Sequence, residues 1–155
     1  MSKSVKRVQR AAEALGLDIT VKRMGESTRT AEDAAKACGC DVAQIVKSLI
    51  IQGSETSELI LLLVSGAHQV DLSLATKAVG QSLARADATE VRARTGFAIG
   101  GVSPIGHLEA PKIWLDETLR THAIVWAAAG APDAVFSISP DSLLKATCAN
   151  VARLA

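Results

Sequence analysis

Val5, Val8, Ala12 and Leu15 recur at the three- and four-residue spacing of an amphipathic helix, and Gly16 follows as a ready stop. Alternation over residues 19–23 predicts a strand. Thr30, with Asp33 three residues on, is a capping-box variant that starts a second helix, which ends at Gly39. Asp41 and Gln44 mark a short turn that feeds a β-branched strand over residues 45–52. The polar stretch 53–57 reads as a hairpin connection, and residues 59–65 return as a buried strand. Asp71 caps a helix that runs to Val79 and closes at Gly80. A short strand over 82–85 and a helix over 88–95 lead into an irregular segment. Residues 112–115, 123–127 and 134–138 predict further strands. Ser139-Pro140 opens the last helix with proline at its favoured first position, and Leu143, Leu144, Val151 and Leu154 supply apolar anchors.

Helices and strands alternate, but the pair within 45–65 is a hairpin. The pattern therefore favours an α+β domain with a mixed sheet over a purely parallel winding. A chain of 155 residues fits one domain over residues 1–155, and 48% hydrophobic content is globular. No repeat, linker or low-complexity tract interrupts it. The longest aliphatic run, Leu59 to Val64, is far too short to span a bilayer. The basic N-terminus has no apolar stretch behind it, so no signal peptide is expected and a soluble cytoplasmic protein is the default.

Charge and cysteine content narrow the chemistry. Cys38, Cys40 and Cys148 are an odd number, which disfavours a disulfide framework, and Cys38-Gly39-Cys40 has no second ligand pair for zinc. No metal site is expected. A net charge of +1 excludes a strongly basic nucleic-acid binder. The positive charge is uneven, however: Lys3, Lys6, Arg7 and Arg10 share one helical face, either simply solvated or able to meet phosphates. With no tyrosine, two phenylalanines and two tryptophans, platforms for base stacking are scarce.

Two features carry candidate chemistry. Lys47 is a lone cation on an apolar strand. Residues 96–107, Gly-Phe-Ala-Ile-Gly-Gly-Val-Ser-Pro-Ile-Gly-His, hold four glycines and a proline in twelve positions. The amides of Gly100, Gly101 and Val102 have little bulk in front of them and could hold a carbonyl or an anion, while Pro104 would fix the path of the loop. Each feature also has a plain reading, a solvated edge-strand lysine and a tight connection. No Gly-x-Ser-x-Gly elbow, dinucleotide fingerprint or Walker A sequence is present, and no cofactor is implied. His107 is a candidate general base, His68 a candidate for the mouth of the site, and His122 a structural residue. Asp116 and Glu117 are adjacent, so a strand would point them to opposite faces.

Taken in order, Ser27-Thr28-Arg29-Thr30-Ala31-Glu32-Asp33-Ala34-Ala35, Gln44-Ile45-Val46-Lys47-Ser48-Leu49-Ile50-Ile51, the 96–107 segment and Ala127-Ala128-Ala129-Gly130-Ala131-Pro132 resemble the YbaK/prolyl-tRNA-synthetase-associated editing family. The resemblance covers most of the chain. It implies a curved, partly barrel-like sheet surrounded by helices. It also implies a trans-acting deacylase that hydrolyses the ester of a mischarged tRNA without a metal. By that resemblance Lys47 corresponds to the family's lysine, which holds the terminal adenosine's phosphate or the aminoacyl group. Lys47, Gly100, Gly101 and Val102 then form the catalytic set, and Thr30, His68, Ser103, Pro104, Gly106, His107 and Gly130 the substrate-binding one. The proton acceptor would be the terminal ribose hydroxyl of the tRNA. The partner implied is the acceptor end of a mischarged tRNA, with an aminoacyl-tRNA synthetase as a second candidate. Cysteinyl-tRNA-editing relatives carry Ser-Gly-Gly and a downstream Asp where this chain has Ala128-Ala129-Gly130 and Val135. That departure counts against cysteine specificity and is compatible with another small side chain. The competing readings are a catalytically silent module for tRNA ends and a nucleotide or phosphate binder.

Overall fold

The hairpin between β2 (Val46–Gly53) and β3 (Leu59–Ser65) is the centre of the computed structural model, which describes residues 2–25 and 30–155. Ser27, Thr28 and Arg29 of the front motif lie outside the described residues. Every residue of β3 is buried. Leu59, Leu61 and Leu63 face one apolar cluster, whereas Ile60, Leu62 and Val64 face another. A strand covered on both faces needs no polar alternation, and that is why it reads as one aliphatic run.

The elements, in chain order, are α1 (Lys3–Ala14), β1 (Lys22–Arg23), α2 (Ala31–Cys38), β2, β3, α3 (Leu72–Val79), β4 (Leu83–Arg85), α4 (Ala88–Thr95), β5 (Lys112–Asp116), β6 (Val125–Ala128), β7 (Ala134–Ile138), α5 (Pro140–Thr147) and β8 (Asn150–Ala152). Short 3-10 turns at Val42–Gln44 and Glu117–Thr121 precede β2 and β6. One sheet has the order β4-β2-β3-β5-β8, the other β1-β7-β6. β2 pairs antiparallel with β3, but β5 runs parallel to β3, and β8 parallel to β5. The sheet is therefore mixed, as expected. A parallel bridge from Ile45 to Trp126 ties the two sheets, and the strands do not close into a barrel. Among the described residues no helix is long and apolar enough to cross a membrane.

The local start and stop signals act as the residue types predict. The Thr30 side chain accepts from the Asp33 N–H at 3.1 Å, and Asp71 accepts from Ser73 and Leu74. Gly39, Gly80 and Gly96 end their helices at φ near +70° to +85°, where a side chain would be strained.

Two expectations change. The strand over 19–23 shrinks to Lys22–Arg23, because β7 offers only two register partners there; Ile19 and Val21 still pack on the core. The chain's end carries a further strand that was not expected. α5 stops at Thr147, with Cys148 left-handed at φ 53°, and the chain turns into β8 beside β5. Leu154 thus packs with Ile60, Leu62 and Ala75 rather than on α5. Fully buried Asp116 fixes this arrangement, accepting from the Leu154 N–H at 2.7 Å and from the Thr118 N–H at 3.2 Å and its hydroxyl. Its carboxylate is spent on backbone donors and is not paired with Glu117 for acid–base work.

Candidate active site

β4 covers β2 only at residues 51–53, so residues 46–50 of β2 have, among the described residues, no strand partner on that edge beyond the Ile45 bridge. A cavity of 520 Å³ wraps this free edge. α2 contributes Thr30, Ala31 and Ala34 to its wall; the second sheet contributes Trp126, Ala127, Ala128 and Val135. Gly100 and Val102 of the glycine loop close another side, next to Ala131 and Pro132. Lys47, Thr30, Gly100 and Val102, which are separate in sequence, therefore meet around one cavity. Among the described residues, Lys47 is the only charged side chain there. The rest is largely small and apolar, and in such surroundings a lone cation attracts an anion or carbonyl oxygen more strongly than it would in water.

Strand register decides what each β2 side chain can reach. Lys47 pairs with Val64, on the face of Ile60 and Leu62, and its Nζ donates to the His68 carbonyl. His68 thus serves through its backbone; its exposed ring is not on the wall. Ser48 pairs with Leu63 on the opposite face. Its Oγ is buried without a hydrogen-bond partner among the described residues, and Ser48 lines the same cavity. Sequence reading passed over Ser48. The available signal was a hydroxyl beside Lys47 inside an otherwise apolar strand, one step out of phase.

The loop divides its donors. The Gly101 N–H is used internally, on the Ala98 carbonyl at 3.0 Å, and the Gly101 backbone lies tight against Ala131. No hydrogen bond engages the Gly100 or Val102 N–H among the described residues. Gly100, at φ +97°, needs glycine's freedom. Ser103 and Pro104 are buried behind the wall, where the Ser103 Oγ accepts from the Ile105 N–H. Gly106 and Gly130 do not line the cavity. They face α1 instead: the Gly106 carbonyl accepts from Arg7 Nε at 2.6 Å, and the Gly130 carbonyl from Ser4 Oγ at 2.8 Å. A Cβ on Gly130 would sit 2.8 Å from the Ser4 carbonyl oxygen.

His107 is also off the wall. Its ring packs edge-on against Phe97 with centroids 5.1 Å apart, and neither ring nitrogen has a hydrogen-bond partner. Burial is the main cause that lowers its pKa to about 4; the Arg7 cation adds to it, and the Ser103 backbone acts the other way without making a hydrogen bond of ordinary geometry. The ring is therefore neutral at pH 7. Below the unfolded value of 6.5 the unfolded chain takes up a proton that the folded chain refuses. Stability is thus fully present above pH 6.5 and is lost as pH falls towards 4, by up to about 3 kcal/mol. Urea midpoints at about pH 7 and about pH 4.5 should show this drop, and His107→Leu should flatten it.

The thiols of Cys38 and Cys40 are free, and burial raises both pKa values, so neither is an activated nucleophile. Among the described residues no group of three His, Cys, Asp or Glu side chains could hold a metal ion.

The aminoacyl-tRNA editing domain profile matches residues 25–146. YwhH of Bacillus subtilis, a protein of uncharacterised function, is 31% identical over 117 residues, 76% of this chain and 74% of that protein. A candidate Cys-tRNA(Pro)/Cys-tRNA(Cys) deacylase, EbsC of Enterococcus faecalis, is 26% identical over 79% of this chain and 74% of that protein. A crystal structure described as a candidate trans-editing enzyme for prolyl tRNA synthetase superposes with a TM-score of 0.93 at 47% identity, over 99% of this chain and 98% of the other.

Proposed function

The chain belongs to the aminoacyl-tRNA editing domain family, and on that premise we propose that it deacylates a mischarged tRNA in trans, at the cavity around the β2 edge. The observation that carries this reading is Lys47, the one cation among the described residues that line the cavity, together with Gly100 and Val102 of the same lining. An aminoacylated acceptor end presents phosphate, an ester carbonyl and an uncharged side chain. One ammonium, two unengaged amides and an apolar wall match those three needs.

The chemistry follows from what the wall offers. Lys47 binds the phosphate or the aminoacyl group, leaving its present partner, the His68 carbonyl. The Gly100 and Val102 amides hold the ester carbonyl oxygen as negative charge develops on it; one such donor is worth on the order of 10²-fold in rate. A water oxygen adds to the carbonyl carbon, and its proton passes to the neighbouring ribose hydroxyl, which relays its own proton to the leaving ribose oxygen. The bond from that carbon to the ribose oxygen breaks, the leaving oxygen takes up that proton, and the free amino acid departs. No metal and no enzyme-bound acyl group is needed. Neither cavity-wall serine nor threonine has a histidine beside it to activate it. The alanines at 127, 128, 131 and 134 suit a small, uncharged amino acid.

A deacylation panel tests the reading. Purified protein is incubated with several mischarged tRNAs and their correctly charged counterparts. Faster loss of a small, uncharged amino acid from a mismatched tRNA, undiminished by EDTA, is the expected result. Uniform background hydrolysis across the panel would refute it.

A further inference from the structure

α1 has two working faces, and the cavity accounts for only one of them. Val5, Val8 and Ala12 are buried in the core. On the inner flank, Arg7 donates from Nε to the Gly106 carbonyl and from Nη2 to the Gly96 carbonyl at 2.8 Å, with its guanidinium 4.7 Å from the Phe97 ring centroid. Ser4 holds the Gly130 carbonyl. This flank thus clasps both ends of the glycine loop and the turn that carries Ala131 and Pro132 to the cavity wall.

The outer face does nothing comparable within the chain. Lys3, Lys6 and Arg10 are exposed, at helical spacing, with no ion-pair partner among the described residues. Together with Arg7 they line a depression of 470 Å³ to which no other described residue contributes. Twelve residues here hold four cations against one acid, Glu13, while the whole chain has a net charge of only +1. The helix also lies N-terminal to the profile match at residues 25–146. A concentration of cations held on one rigid face favours a polyanion over a single small anion.

We propose that the outer face of α1 binds backbone phosphates of the tRNA acceptor arm, beside the aminoacylated end held in the cavity. The proposal rests on the deacylase reading for its choice of polyanion. The seven steps from Lys3 to Arg10 span roughly 10 Å of helix, over which one nucleic-acid strand presents about three phosphates. Recognition there is independent of base sequence, because the face has cations but no aromatic ring to stack on a base. Arg7 connects the two sites mechanically, since the helix that meets the phosphates also holds the loops of the wall.

The test uses a Lys3→Gln/Lys6→Gln/Arg10→Gln variant, which leaves Arg7 and Ser4 in place. Binding of deacylated tRNA is measured across a salt series. Hydrolysis is measured on aminoacyl-tRNA and on an aminoacyl ester of adenosine 5′-monophosphate, which lacks the acceptor arm. The variant should keep its thermal midpoint and bind tRNA about tenfold or more weakly, with a log K against log salt slope shallower by about 2. Its kcat/KM should fall on tRNA and hold on the short ester. Unchanged tRNA affinity and salt slope would overturn the proposal, as would equal loss on both esters. If the wild-type protein hydrolyses neither ester, the deacylase reading fails instead, and the binding measurements still decide the role of α1.

Discussion

Lys47→Ala is expected to lower deacylation more than tenfold while the protein remains folded. Loss of a charged hydrogen bond costs about 1.5–3 kcal/mol, and a factor of ten needs about 1.4. Among the described residues the cavity lining holds no second cation to take over, so the cost falls on the substrate. Stability should change little. The Lys47 ammonium holds only the exposed His68 carbonyl, and water can replace it there. Single-turnover rates and a thermal melt on the same preparation decide the matter. Lys47→Arg is a useful companion, because a broad planar guanidinium does not replace a compact ammonium. A folded alanine variant with near-normal turnover would remove Lys47 from the chemistry.

The second large effect lies on the substrate. A mischarged tRNA ending in 2′-deoxyadenosine should react on the order of 10²-fold more slowly or worse, because the loss of an acid–base group typically costs that much. His107→Ala should cost far less. The His107 ring is packed on Phe97 behind the loop, outside the cavity wall, and its effect on rate can come only through the loop's position. Normal hydrolysis of the deoxy substrate by the wild-type protein, together with an inactive His107→Ala variant, would transfer the proton-accepting role to the protein. The two substrates and the two proteins form one small matrix of rates, so general damage to the loop is separable from loss of the proton acceptor.

The residues that made the site legible in sequence act over short range. Thr30 caps α2 with its own hydroxyl, Gly39, Gly80 and Gly96 end helices at positive φ, and the β2–β3 hairpin follows from two apolar runs around a polar connection. Each of these needs only neighbouring residues, so each is written locally. Lys47 and the 96–107 segment stood out for a similar reason: a cation in an apolar strand and four glycines in twelve residues are departures from local pattern.

Other features depended on partners far along the chain. β8 exists because β5 offers a parallel edge and Asp116 accepts from Leu154, 38 residues away; the three residues of β8 carry no strand signal strong enough to stand alone. Cys148 ends α5 in a left-handed conformation without the glycine that would have announced it. The strand register puts Lys47 and Ser48 on opposite faces. That both reach one cavity was decided by the short β4, which leaves the strand's edge free at that point. Likewise Arg7 belonged by spacing to a basic stripe, and only the packing of α1 on Gly96 and Gly106 committed its guanidinium to their carbonyls while Lys3, Lys6 and Arg10 stay exposed beside it. Sequence determined the elements, their ends and the residue types able to meet a charged ester. Tertiary structure decided which amides remain free, which histidine is sealed away and which cations still face solvent, because each of those depends on contacts between segments that no local pattern encodes.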